Sequence, residues 1–243
     1  MLLFPFLWSV PTHKDFIEEF YIWNVGQGSW STYSMSNKCI HFDMGGEFAP
    51  WKKILRMCSD KQNILLLSHA DKDHLSFAAK FNRHLKNLCL QERPQGFSKS
   101  KTSARILSSL PICKNLKELN FLKELKFKVP LKFKNSNDRS RIYELKSEVL
   151  FPGDSTARAE KLWSKYASPN LRVLLLGHHG SKTSSSIQLL SFLSQLKMAI
   201  ASARKKMYGH PHAEVQMRLK SNGISLLKTE DWGSIKLDVN KAK

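Results

Sequence analysis

Acidic residues are scarce in this chain. Against 39 lysines and arginines stand 20 aspartates and glutamates, a formal net charge of +19 over 243 residues. That imbalance disfavours a cationic partner and points to a polyanion. Cysteine is also sparse: Cys39, Cys58, Cys89 and Cys113 form no CxxC pair, which excludes a zinc knuckle. Free thiols in a reducing compartment are expected, although an even number also permits disulfides. No Gly/Ser or Pro-rich linker, low-complexity stretch or repeat interrupts the sequence, so residues 21–243 read as one domain behind an apolar extension, residues 1–20. No apolar run is long enough for a bilayer. The N-terminal segment Met1–Trp8 is too short, has no basic start and no A-x-A cleavage signal. A cytoplasmic protein is expected, with an exported one as the alternative.

Chemistry is concentrated in Ser68-His69-Ala70-Asp71-Lys72-Asp73-His74, directly after the apolar run Ile64–Leu67. Such a run reads as a buried strand, and groups placed just past its end sit on a rigid element facing solvent. Imidazole and carboxylate together suit a divalent cation, and four such groups in one loop exceed what one ion takes from one segment. Two ions, or one ion with an orienting carboxylate, are expected. The same arrangement recurs twice. Val149–Phe151 leads through Pro152-Gly153 to Asp154, and Val173–Leu176 leads through Gly177 to His178-His179-Gly180-Ser181. A further pair, His210 and His212, lies in Tyr208-Gly209-His210-Pro211-His212 before a helix from Ala213. Of nine histidines, only His13, His41 and His84 stand outside these pairs, and they read as ordinary core or surface residues.

In order along the chain, Asn24-Val25-Gly26-Gln27-Gly28, Phe42-Asp43-Met44-Gly45-Gly46, the His-x-Asp-x-Asp-His loop, Gly153-Asp154, His178-His179-Gly180-Ser181 and Tyr208–His212 resemble the metallo-β-lactamase superfamily. Within it the chain looks most like the hydrolase domain of the ComEC family, the DNA-uptake channels of competent bacteria. The resemblance implies an α/β fold, an αββα sandwich of two mixed sheets flanked by helices. It implies His69, Asp71, Asp73, His74, Asp154 and His178 as ligands of two divalent metal ions, with Asp154 bridging. Asp43 and His179 are implied to orient the ligands. The choice between His178 and His179 as the late ligand is close, and the strand leading into it favours His178. Two departures stand out. Asp71 replaces the usual histidine, and no histidine occurs between His84 and His178, which leaves Zn, Mn and Mg open and Asn137, Ser140 or water as candidates for the gap.

Paired cations suit phosphodiester hydrolysis. Asp73, His210 and His212 are the candidate catalytic residues, the histidines protonating a leaving group or binding a phosphate oxygen. Ser181, Lys182 and Tyr208 are candidate phosphate or nucleic-acid contacts. From Lys99 to Lys146 there are 13 basic residues against four acidic ones, interleaved with Phe121, Phe127, Phe133 and Tyr143. This segment reads as a salt-sensitive face for nucleic acid whose rings stack on bases, or as ordinary core aromatics with solvated lysines. An irregular basic excursion is expected over 91–137. The resulting reading is a metal-dependent nuclease or phosphodiesterase acting on DNA. A nucleic-acid-binding protein with a degenerate metal site and a hydrolase of small esters, amides or lactones are the alternatives.

Overall fold

The computed structural model describes residues 18–94, 100–114 and 119–239. Most of the expected N-terminal extension, with His13, lies outside them, as do Lys99 and Lys117. The described strands are β1 (Glu19–Ile22), β2 (Ser31–Ser34), β3 (Lys38–Phe42), β4 (Gln62–Leu66), β5 (Leu88–Leu90), β6 (Leu122–Glu124), β7 (Tyr143–Leu145), β8 (Val149–Phe151), β9 (Val173–Leu175), β10 (Met198–Ala201), β11 (Ser225–Lys228) and β12 (Ile235–Leu237). The helices are α1 (Trp51–Cys58), α2 (Lys72–Leu75), α3 (Ala78–Phe81), α4 (Lys101–Ser109), α5 (Ala157–Trp163), α6 (Ile187–Phe192), α7 (Lys205–Tyr208), α8 (Ala213–Ser221) and α9 (Thr229–Trp232).

Side-chain alternation sorts these elements into four layers. In β4 and just past its end, Ile64 and Leu66 point toward the second sheet, while Leu65 and Leu67 pack with Ile54, Leu75 and Phe81 of the helical layer. In β8 and β9, Phe151 and Leu175 face the first sheet, whereas Leu150 and Leu174 join Trp163, Leu189 and Val215 outside. The two sheets run β12-β1-β2-β3-β4-β5 and β11-β10-β9-β8-β7-β6. Phe42 stacks on Phe151 across the gap between them, ring centroids 3.9 Å apart. Both sheets are mixed. The parallel strands are β3, β4 and β5 in one and β8 to β11 in the other. This is the expected αββα sandwich.

Past the His-x-Asp-x-Asp-His loop the chain forms two short helices, α2 and α3, because the carbonyl of His74 accepts from the amide of Met44 (2.7 Å) and the amide of Phe77 donates to Met44 (3.0 Å). Those bonds dock the loop onto the end of β3 and draw the backbone out of helical register. The basic excursion is more regular than expected. It contains α4, whose Ser100 hydroxyl caps the amide of Ser103, and β6. Its aromatics are structural: Phe133 and Tyr143 are buried, and Phe121 and Phe127 pack against the core clusters. Several of its cations already have partners, Lys123 with Glu144, Lys126 with Glu124, Arg141 with Glu92 and Glu124, and Lys146 with Glu18.

The cysteines are not free. Cys39 of β3 is bonded to Cys58 at the end of α1, and Cys89 of β5 to Cys113 beyond α4. The amide of Cys113 also donates to Leu90 (2.9 Å), so the excursion is stitched to the edge of the first sheet twice. Partners 19 and 24 residues apart carry no local signal. Only the fold shows that they are neighbours. Among the described residues, no helix is long and apolar enough to cross a membrane.

Candidate metal centre

The candidate ligands share one edge of the sandwich because the strands that carry them run parallel and end there. His69 follows β4, Asp154 follows β8, and His178 and His179 follow β9. Loops beyond the carboxyl ends of parallel strands are where α/β folds assemble their sites. Gly153 makes the turn into Asp154 at φ +54, where an added Cβ would come within 2.5 Å of the side chain of Ser68. The backbone of one loop therefore packs directly against a side chain of the other. His178 (φ 50, ψ 44) and His179 (φ 56, ψ 18) both adopt the left-handed conformation, which is unfavourable for residues with a Cβ.

That double turn brings both imidazoles to the site. Asp73, His74, Asp154 and His179 offer ligand atoms that all lie within 4.8 Å of one another. Nε2 of His179 is 3.0 Å from Oδ2 of Asp73 and 3.3 Å from Nε2 of His74, which is itself 3.0 Å from Oδ1 of Asp154. On the other side of Asp154, Oδ2 is 3.8 Å from Nε2 of His69 and 3.7 Å from Nε2 of His178. Oδ2 of Asp71 is 3.5 Å from the same His69 nitrogen. Atoms bound to one tetrahedral ion at about 2.1 Å lie about 3.4 Å apart, so these spacings fit. The preference for His178 over His179 is revised: His179 sits in the tight set, His178 in the looser one, and each faces a different oxygen of Asp154.

Tautomers give an independent argument for a cation. Nδ1 of His74 faces Oδ2 of Asp43 (2.7 Å), and Nδ1 of His179 faces the carbonyl of Ser202 (3.0 Å). A neutral imidazole that donates from Nδ1 presents a lone pair at Nε2. Two such lone pairs then meet at 3.3 Å beside two carboxylates, an arrangement that requires positive charge between them. Nε2 of His69 is likewise fully buried with no hydrogen-bond partner. The residues therefore fit a divalent metal ion. With protons alone supplying the charge, burial opposes ionisation of His74, but Asp154 and Asp43 outweigh it and hold its pKa well above the usual value. Burial likewise pushes Asp154 up, yet His74 and His179 hold it well below the carboxylate range.

Asp43 also accepts from the amide of Ser68 (2.8 Å) and from its hydroxyl, so it fixes both the loop and the His74 ring. An Asp43→Ala variant is expected to bind metal about 10- to 100-fold more weakly, measured by competition with a chelator. Ser29 and Trp30, which follow the Val-Gly-Gln-Gly segment, also have a place. The amide of Ser29 donates to the carbonyl of Asp73 (3.0 Å), and Trp30 is buried against Phe81 and His41. His41 is fully buried among Trp30, Thr32 and Asn63, and burial lowers its pKa to about 4. His84 packs edge-on against Trp51, away from the ligands.

Of the two gap candidates, Asn137 brings Nδ2 to 3.5 Å from Nε2 of His178, while the Ser140 hydroxyl is used by the amide of Asp154 (3.2 Å). His210 stands beside the site, its ring 6.2 Å from that of His178. Gln27, which the sequence reading left without a role, orients it. Oε1 of Gln27 accepts from the amide of Arg204 (3.2 Å), which turns its Nε2 toward Nδ1 of His210 (3.5 Å) and leaves His210 with an outward Nε2–H. The signal for Gln27 was its place in the motif, and only the fold shows what it touches. His212 instead caps α8 by accepting from the amide of Glu214 (3.3 Å), as the helix-start reading of His-Pro-His implied. The Ser181–Ser186 turn is engaged internally. The amides of Ser185 and Ser186 donate to the buried carboxylate of Glu160 (2.6 and 2.9 Å), which occupies the place expected for a phosphate. The Ser181 hydroxyl lies 3.0 Å from that of Thr183, Lys182 is exposed, and the Tyr208 hydroxyl donates to Glu47 (3.4 Å).

No family model matches the chain. Over 116 residues, 44% of its length, it is 35% identical to competence protein ComA of Neisseria gonorrhoeae. Over 187 residues, 70% of its length, it is 26% identical to ComE operon protein 3 of Bacillus subtilis (strain 168). The matches cover only 17% and 24% of those proteins. Among solved structures, a diphosphatase from the PhnP family superposes with a TM-score of 0.52 at 14% identity, over 88% of this chain and 85% of that one. That likeness bears on the fold alone. Sheet order, the ordered series of imidazoles and carboxylates and these likenesses agree: the chain has the metallo-β-lactamase fold and is similar in sequence to the competence proteins.

Proposed function

We propose that this protein is a metal-dependent phosphodiesterase acting on DNA, and that it works in an oxidising compartment. Asp154 carries the reading, a buried carboxylate with a ligand set on each of its oxygens. Two ions bound there, Zn or Mn, with Mg also suited to the oxygen-rich set, would polarise a phosphodiester and lower the pKa of water to about 7. Around them the chain supplies orientation. Asp43 and Ser202 fix the rings of His74 and His179, and Asp73, partly exposed, lies 3.0 Å from Nε2 of His179. Burial, followed by the neighbouring His179 and His178, lowers the pKa of His210, so it enters the reaction neutral, its Nε2–H free to donate to a phosphoryl oxygen.

DNA is favoured by the charge of +19 and by kinship with competence proteins, which also suggests a part in DNA uptake. The two disulfides support the exported alternative over the cytoplasm. Metal-loaded protein is expected to cleave single- or double-stranded DNA above an Asp73→Ala background. Turnover of small esters with no DNA cleavage, Mn and Zn each supplied, would defeat the proposal.

A further inference from the structure

The aromatics of the Lys99–Lys146 segment are buried or packed against the core, and exposed rings stand elsewhere on the molecule. Among the described residues ten large apolar side chains are exposed, and four of them, Phe48 (54%), Met207 (61%), Tyr208 (47%) and Trp232 (71%), lie on segments that hydrogen bonds join to one another and to His210. Solvation of three aromatic rings in one region is costly and marks a surface used for binding.

The connections run through Glu47. Its carboxylate accepts from the amide of Gln27 (2.9 Å), the guanidinium of Arg204 (3.1 Å) and the hydroxyl of Tyr208 (3.4 Å). Phe48, the next residue, lies over Gly26, where a Cβ would come within 3.0 Å of its ring, and the Arg204 guanidinium sits 5.7 Å from the ring centroid. The amide of Lys205 donates to Glu230 (2.9 Å), which joins α7 to α9 and hence to Trp232. Gln27, bonded to Glu47, Arg204 and His210, ties this surface to the catalytic edge. Lys205 and Lys206 are exposed, and neither forms an ion pair among the described residues.

We propose that Phe48, Tyr208 and Trp232, with Lys205 and Lys206, form a platform that binds unpaired bases of a single nucleic-acid strand and feeds its backbone to the metal edge. The platform rests on the phosphodiesterase reading and narrows its substrate to single strands. Flat rings with lysines between them match a chain of bases on a phosphodiester backbone. A duplex hides its base faces and gains only the lysines.

The test is fluorescence anisotropy of labelled oligothymidylate and oligouridylate, and of a DNA duplex, with the full chain in EDTA so that cleavage plays no part. Single strands are expected to bind more tightly than the duplex, and the DNA and RNA arms decide between the two sugars. Phe48→Ala, Tyr208→Ala and Trp232→Ala are each expected to weaken single-strand binding about five- to 150-fold. Tyr208→Phe keeps the ring, loses the bond to Glu47, and is expected to bind as the parent does. Lys205→Gln and Lys206→Gln are each expected to lower the salt slope by about one. These positions are exposed, and an unchanged melting temperature checks that the fold is retained. Ring variants that bind like the parent, or a parent that binds no single strand, would overturn the platform. Ring-dependent binding without cleavage in the metal-loaded assay would leave the platform standing and defeat the phosphodiesterase reading instead.

Discussion

Replacing Asp154 by alanine is expected to lower phosphodiester turnover about a thousandfold or more. The carboxylate is fully used. One oxygen faces His74 and His179, the other His69 and His178, so one substitution removes a ligand from both sets. Loss of metal-assisted charge stabilisation is worth several kcal/mol of barrier, and about 4 kcal/mol is a factor of a thousand. The variant also leaves His74 and His179 facing one another with less negative charge, so both pKa values are expected to drop. That follows because Asp154 is, after the opposing effect of burial, the largest cause of each elevation. The checks are single-turnover kinetics on a labelled oligonucleotide and NMR titration of the two imidazoles in the metal-free protein. Retention of turnover within tenfold would mean that Asp154 holds no essential ion.

The second large effect is on stability. Cys39–Cys58 and Cys89–Cys113 close loops of 19 and 24 residues, for which the chain-entropy relation gives about 3 kcal/mol each. In a protein of this size about 1 kcal/mol moves the melting temperature by about 2–4 °C, so each disulfide is expected to contribute about 6–12 °C. The bonds guard different regions. Cys39–Cys58 ties α1 to β3, whose end carries Asp43, whereas Cys89–Cys113 anchors the segment containing α4 to the edge strand β5. Calorimetry of the protein with and without reductant, and of Cys39→Ser with Cys58→Ser and Cys89→Ser with Cys113→Ser, separates the two contributions. A melting temperature indifferent to reductant would remove the argument for an oxidising compartment.

Much of the site was legible because ligand chemistry here is local and punctuated. An apolar run, a turn and then His or Asp mark a strand end in one dimension, and the same pattern at Ile64–Leu67, Val149–Phe151 and Val173–Leu176 marked the three strand ends where imidazoles and carboxylates cluster. The start of α8 at Ala213 was legible, and β8 likewise. The elements that escaped are short or polar. β2 reads Ser-Thr-Tyr-Ser yet is buried along its whole length, its Thr32 hydroxyl serving Trp23 and His41. β5, β6, β7 and β12 have three residues each, too few to show a period of two. The choice between His178 and His179 was undecidable in sequence because it depends on two successive left-handed residues, which let neighbours in the chain address opposite oxygens of Asp154. The aromatics at Phe121–Tyr143 left two readings open in sequence for the opposite reason. Their spacing among lysines describes a strand with one solvated face as well as it describes a nucleic-acid surface, and packing selects the first.

Elemental analysis of the purified protein, loaded with Zn or Mn and freed of excess by gel filtration, tests the metal centre directly. About two equivalents of divalent metal per chain are expected, falling to one or none in Asp154→Ala. A wild-type protein that retains no metal, or an Asp154→Ala protein that retains as much as wild type, would contradict the assembly of His69, Asp71, Asp73, His74, Asp154, His178 and His179 into a two-ion site.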